Sequence, residues 1–158
     1  MTSGVFRAGN YSAMLKFIRA FARLESEFKK NLSLVIIGVA HRKEFISKAI
    51  EEGNKVDLKV KYLGPYSKEM LNHYLRASDI VLFLSLKNLG SCFNTPIRFS
   101  EYLMSRMPIL AVDLPNVREY IRDENFLFDI NNEEDISNKI KISLLNKNVV
   151  AGFWNLAT

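Results

Sequence analysis

Apolar side chains recur along this chain at two different spacings. Between residues 11 and 29 they fall at helical spacing on one face, with polar residues between them, which predicts an amphipathic helix. The run at residues 34–37 is short, wholly apolar and followed by Gly38. A run of that kind is typical of a parallel strand that is buried on both faces. This part of the chain therefore predicts a helix that leads into a buried strand.

The alternation of strand and helix continues along the sequence. Further strands are predicted ahead of Arg7 and at residues 58–63, 80–84, 109–112 and 126–128. Further helices are predicted at residues 43–52, 67–77, 95–105, 114–121 and 133–145, with Gly53 ending the first and Ser67 capping the second. Strands that alternate with helices imply right-handed crossovers. The predicted fold is α/β: a doubly wound, mostly parallel, Rossmann-like sheet with helices on both faces.

Composition narrows the class of protein. The length of 158 residues predicts a single domain. Cys92 is the only cysteine, so a disulfide within the chain is excluded, and no metal site is predicted. The net charge is +5, but the positive residues are scattered and form no nucleic-acid motif, so we expect no nucleic-acid partner.

Without a signal peptide or an apolar run of about 20 residues, we expect no transmembrane segment and a cytoplasmic location. Peripheral attachment to a membrane stays open.

The most informative stretch follows the most apolar strand. Doubly wound sheets bind ligands beyond the carboxyl ends of their strands. There Thr95 is a good N-cap and Pro96 suits the first helical turn, so a helix is predicted to start abruptly after a loop at residues 87–94. The N–H groups at such a helix start suit a phosphate.

Arg98 and Glu101, three residues apart, share one face of this helix. Glu101 could accept the hydroxyls of a ribose, and Arg98 could meet a phosphate. An ordinary helical ion pair between the two is the alternative interpretation.

Four segments give the chain a resemblance to a known family. They are residues 17–21 with 34–38, residues 60–67, residues 74–85, and residues 96–103 with 107–113; the last contains Pro96-Ile97-Arg98-Phe99-Ser100-Glu101-Tyr102-Leu103. In order and spacing they resemble the glycosyl transferases group 1 domain. That domain is the C-terminal half of the retaining glycosyltransferases of family 4, which have the GT-B fold.

The resemblance implies a role for each matching position. Glu101 is expected at the ribose of the donor nucleotide and Tyr66 at its base. The diphosphate is expected to meet Arg7, Arg98 and Thr95, and the loop at the sugar contains Gly90, Ser91 and Asn94. Two positions depart from the family pattern. Phe93 stands where the family has a glutamate that contacts the donor sugar. The family also has a lysine a few residues after the arginine that Arg7 matches, and this chain has no lysine at the matching position.

The resemblance implies a glycosyltransferase that moves a hexosyl group from a nucleoside-diphosphate sugar to a glycan, lipid or other acceptor. Residues 1–158 would be its nucleotide-sugar-binding domain, without the N-terminal acceptor domain and without a cofactor. We therefore expect the isolated chain to be inactive and to act with an N-terminal-domain partner chain or as a homodimer. The alternatives are a non-catalytic nucleotide-sugar-binding module and, more weakly, half of a sugar-nucleotide epimerase.

Overall fold

The computed structural model describes residues 2–6, 8–93 and 96–145, and these form strands and helices in alternation. The strands are β1 (Thr2–Phe6), β2 (Ser33–Ala40), β3 (Lys59–Tyr62), β4 (Val81–Phe83), β5 (Ile109–Val112) and β6 (Leu127–Phe128). The helices are α1 (Ala8–Ala20), α2 (Ser26–Lys29), α3 (Lys43–Lys55), α4 (Lys68–Arg76), α5 (Leu89–Phe93), α6 (Ile97–Ser105), α7 (Pro115–Arg118) and α8 (Glu133–Leu145). Single 3-10 turns lie at Phe21–Arg23 and Glu124–Phe126.

The strands pair in parallel, as two sheets ordered β1-β2-β3 and β4-β5-β6. Gly4 pairs with Gly38 in the first sheet, and Val81 pairs with Ile109 in the second. The edge strands β1 and β4 approach each other with Cα atoms within 8 Å. The order β3-β2-β1 followed by β4-β5-β6 is that of a doubly wound fold. The predicted α/β architecture is confirmed.

Aromatic side chains join the helices to the second sheet. The ring of Phe17 on α1 lies 5.9 Å from that of Phe128 on β6, and Phe83 at the end of β4 lies 4.8 Å from Phe99 on α6. All four residues of β5 are buried. Continuous apolar strands are thus covered on both faces, as their sequence predicts.

Three predicted helices away from the end of β4 differ from the structure. The predicted helix over residues 11–29 breaks after Ala20, because Leu24 takes an extended conformation (φ −80°, ψ 141°) that buries its side chain. Gly53 lies inside α3 and does not end it. There the helix packs so closely on the chain ahead of β3 that a Cβ atom would lie 2.8 Å from the carbonyl oxygen of Leu58. Helix α7 is shorter than the predicted residues 114–121.

None of the helices in the described ranges has the length and hydrophobicity that crossing a bilayer requires.

Candidate functional site

An open cleft of about 500 Å³ lies where the two sheets meet. Its lining comes from the first turn of α1, the carboxyl end of β4, and helices α5 and α6 with the residues before them: Asn10, Phe83, Ser85, Asn88, Gly90, Ser91, Pro96, Ile97, Arg98 and Glu101. The junction of β1 and β4 is the switch point at which doubly wound sheets bind ligands. The volume falls in the range of about 300–1,000 Å³ that is usual for small-molecule sites.

Arg98 is held against the end of β4. Its Nη2 donates to the backbone carbonyl of Leu84 at 3.4 Å, and its Cζ lies 5.5 Å from the centroid of the Phe83 ring. Helix α6 buries Phe99 and Tyr102 completely in the core. Because these residues anchor one face of the helix, Arg98 and Glu101 fall on the side that borders the cleft.

Glu101 is half-buried and lies about one helical turn beyond Arg98 in the same cleft wall. Among the ion pairs formed by the described residues, none joins Arg98 to Glu101. The ion pair of the alternative interpretation is therefore not among the contacts of the described residues. Both a guanidinium and a carboxylate line the cleft.

Ser85, which follows β4, and Ser91 on α5 bring hydroxyl groups to the cleft. Asn88 caps this helix, since its Oδ1 accepts hydrogen bonds from the Ser91 N–H at 3.0 Å and from Ser91 Oγ at 3.1 Å. Ser85 Oγ in turn donates to Ser91 Oγ at 3.1 Å. The prediction of an irregular loop over residues 87–94 is wrong at Leu89–Phe93. Gly90 and Ser91 nevertheless line the cleft with Arg98 and Glu101.

The start of α6 differs from its prediction. The helix begins at Ile97, and Pro96 occupies the N-cap position in an extended conformation (φ −63°, ψ 144°) with no side-chain cap hydrogen bond. The placement of Pro96 in the first helical turn is therefore wrong. Thr95, Asn94 and Arg7, which are predicted site residues, lie outside the described residues.

Two residues that the resemblance singles out are separate from the cleft lining. Tyr66 packs against the hydrophobic core after β3 and is not among the lining residues. Phe93, at the position of the family glutamate, has a side chain that is 81% exposed.

Six lining residues are absent from the predicted site: Asn10, Phe83, Ser85, Asn88, Pro96 and Ile97. Ser85 and Asn88 carried a signal in the sequence, because polar residues directly after a strongly apolar strand lie at the ligand-binding edge of the sheet. Asn10 and Phe83 gave none, since their place in the cleft depends on how α1 and α6 pack.

Comparison with known proteins gives a family and a fold. The family model described as glycosyl transferases group 1 matches residues 5–152. No curated protein sequence gives a match. Among solved structures, the catalytic domain of cholesterol-α-glucosyltransferase from Helicobacter pylori is similar with a TM-score of 0.76 and 22% identity, over 99% of this chain and 92% of that one.

Two more structures share the fold at lower similarity. The N-terminal domain of Candida albicans trehalose-6-phosphate phosphatase has a TM-score of 0.65 at 14% identity, over 99% of this chain and 36% of that one. An E. coli trehalose-6-phosphate structure bound with UDP-2-fluoro glucose has a TM-score of 0.64 at 10% identity, over 90% of this chain and 35% of that one. The chain thus spans about a third of the length of these two proteins.

Proposed function

The chain belongs to the glycosyl transferases group 1 family, and we propose that it supplies the donor-binding half of a glycosyltransferase. Its substrate would be a nucleoside-diphosphate sugar whose hexosyl group passes to a glycan, lipid or other acceptor. One observation carries the proposal: Arg98 and Glu101 line a single cleft at the junction of the two sheets, together with the hydroxyls of Ser85 and Ser91.

The spacing of Arg98 and Glu101 suits a nucleotide. Three residues along a helix advance about 4.5 Å, which is comparable with the separation of a ribose from the phosphate attached to it. A guanidinium binds phosphate oxygens in two-pronged geometry, and a carboxylate accepts hydrogen bonds from the vicinal hydroxyls of a ribose. We therefore assign the diphosphate to Arg98 and the ribose to Glu101.

The hydroxyl-lined wall is the part of the cleft that we assign to the sugar. Gly90 leaves room for a ligand beside α5, and the Ser85 and Ser91 hydroxyls are joined to Asn88 in one hydrogen-bonded set. Such a set can exchange hydrogen bonds with sugar hydroxyls, because each hydroxyl both donates and accepts. The assignments of Asn94 to the sugar, of Arg7 and Thr95 to the diphosphate and of Tyr66 to the base stay predictions.

The open cleft also supports a proposal about partners. Transfer requires that donor and acceptor are held together and shielded from water. We propose that an acceptor-binding half, on a partner chain or on a second copy, covers this cleft.

Phe93 favours a second candidate function. An exposed phenylalanine occupies the position at which family members contact the donor sugar through a glutamate. A chain that binds a nucleotide sugar without turning it over is consistent with that change. Both candidate functions require that the chain binds a nucleotide sugar. They differ in whether the bound sugar is transferred.

Calorimetric titration of the purified chain with nucleoside diphosphates of several bases tests the shared part of the proposal. We expect saturable heat at up to millimolar ligand with at least one base. The variant Arg98→Ala/Glu101→Ala should lose this heat. Its matched control, Arg76→Ala/Glu51→Ala, removes the same two residue types from exposed positions outside the cleft and should retain the heat. No heat and no thermal shift with any base would contradict the proposal.

A further inference from the structure

Arg98 takes its position from the end of β4. Beyond the Leu84 carbonyl, its guanidinium lies over the ring of Phe83, with 5.5 Å from Cζ to the ring centroid. We propose that Phe83 is a positioning residue for Arg98, whose ring fixes the guanidinium in the orientation that binds a phosphate in the cleft. This inference rests on the proposed function of the cleft.

The ring of Phe83 is itself fixed by the core. Phe83 is 1% exposed, and its ring lies 4.8 Å from the ring of Phe99 and 6.5 Å from that of Tyr102, which meets it edge-on. All three belong to the packed core between β4 and α6. Close packing of this kind leaves side chains in single rotamers. Because the ring of Phe83 is fixed by the core, it restricts the orientations that the guanidinium of Arg98 can take.

The contact leaves the chemistry of the guanidinium intact. Attraction between a cation and an aromatic ring acts through the ring face, whereas the N–H donors of arginine lie in the plane of the guanidinium. Phe83 and a phosphate therefore do not compete for the same donors. A long arginine side chain otherwise loses much rotamer freedom when it binds an anion. Holding it in place beforehand should strengthen phosphate binding specifically.

The test compares Phe83→Leu with the unchanged chain, using a nucleoside diphosphate and the matching bare nucleoside as ligands. Leucine keeps the site apolar but removes the ring face. We expect about fivefold weaker binding of the diphosphate and unchanged binding of the nucleoside. In an Arg98→Ala background, Phe83→Leu should cause no further loss of diphosphate affinity, because the group that it positions is absent.

Phe128→Leu is the matched control, since Phe128 is a fully buried strand phenylalanine outside the cleft. It should lower thermal stability without changing the preference for the diphosphate. Phe83→Met, measured in parallel, should reproduce the loss of affinity and covers the case in which the leucine variant folds poorly.

Equal losses for both ligands, an effect of the same size at Phe128, or additive losses in the double variant would overturn the inference. If the unchanged chain binds no diphosphate, the proposed function fails together with it. If binding depends on Arg98 but is indifferent to Phe83, only the inference fails.

Discussion

Arg98 and Glu101 carry opposite charges on neighbouring positions of α6, yet each has a separate environment. Arg98 contacts the Leu84 carbonyl and the Phe83 ring, and Glu101 borders the cleft one turn further along. Both residues line the cleft, so we assign them to different parts of one ligand. Substitution of Glu101 alone therefore tests the assignment of the ribose to this residue.

Replacing Glu101 should remove the preference of the chain for ribose. Losing a hydrogen bond to a charged group costs about 1.5–3 kcal/mol, so Glu101→Ala should bind a nucleoside diphosphate about tenfold more weakly or worse. The unchanged chain should also bind the ribose form more tightly than the 2′-deoxy form, and Glu101→Ala should bind both alike. Calorimetry with the two ligands measures this.

Glu51→Ala is the control for that measurement, because Glu51 is an exposed glutamate near the carboxyl end of α3. It should leave both affinities unchanged. An unaltered ribose preference in Glu101→Ala would remove Glu101 from the nucleotide site.

Sequence reasoning could find those site residues whose position follows from a helix start. Arg98 and Glu101 were predictable because three-residue spacing puts them on one face. Asn10 and Phe83 were not, because a residue at the start of α1 and one at the end of β4 reach the same cleft only after the two sheets have met. When tertiary packing decides which residues line a cleft, the sequence around each residue does not indicate its place there.

At the scale of elements, the contact between α3 and β3 depends on Gly53. An added Cβ would lie 2.4 Å from Val60 Cγ2 and 2.8 Å from the Leu58 carbonyl oxygen. Alanine favours a helix over glycine by about 1 kcal/mol, but overpacking costs about 1–3 kcal/mol, and here part of the clash is with backbone. We expect Gly53→Ala to lower the melting temperature by a few degrees.

In contrast to Gly53→Ala, the substitution Gly90→Ala should not lower the melting temperature. Among the described residues, its Cβ would meet Asn88 Oδ1 alone, at the ordinary distance of 3.5 Å, so α5 should become slightly more stable. A thermal scan of both variants measures the contrast. A higher melting temperature for Gly53→Ala would show that Gly53 is replaceable and that the spacing between α3 and β3 can relax.

Arg118 clamps the segments that follow β5 and precede β6. Its Nη2 donates to Asp113 Oδ2 at 3.0 Å and its Nη1 to Glu124 Oε1 at 2.7 Å. The hydrogen bonds from Arg118 hold the pKa of the Asp113 carboxyl below its usual value, against the opposing effect of partial burial. Asp113 therefore contributes stability above its unfolded pKa of about 3.9, and this contribution is lost as the pH falls through the folded-state pKa.

Asp113→Asn should accordingly destabilise the chain at neutral pH, by up to about 1 kcal/mol because the pair is partly exposed. The difference between the two chains in free energy of unfolding should shrink as the pH falls below about 4. Denaturant titrations over this pH range measure it. Asp79→Asn, at an exposed residue outside the clamp, should show no such trend. A difference that persists undiminished at low pH would rule out the ionised carboxylate as its source.

Elements were predictable where local signals agree with the packing. Residues 133–145 form α8 as predicted, because acidic residues begin the helix and Asn132 Oδ1 accepts from the Glu134 and Asp135 N–H groups. Helix α5 was missed because five residues that include a glycine carry too little helical periodicity to be seen. The break after Ala20 was missed because burial of Phe21 and Leu24 decides it, and the apolar pattern continues through the turn.

At the scale of the whole molecule, the cleft is open and its lining comes from one α/β unit. Transfer of a sugar needs donor and acceptor held in contact and shielded from water. We expect this chain alone to bind a donor without transferring its sugar to any of a broad panel of acceptors, and to gain activity when an acceptor-binding half is added. Chromatographic assay of donor turnover measures both states. Robust transfer by the chain alone would overturn the proposal of a donor-binding half.

The most direct test of the central claim is a crystal structure of the chain with a nucleoside diphosphate. We predict the ligand in the cleft at the junction of β1 and β4, with its ribose hydroxyls within hydrogen-bond distance of the Glu101 carboxylate and its phosphates at Arg98. A ligand bound at another surface, or a cleft that remains empty at a saturating concentration, would contradict the account.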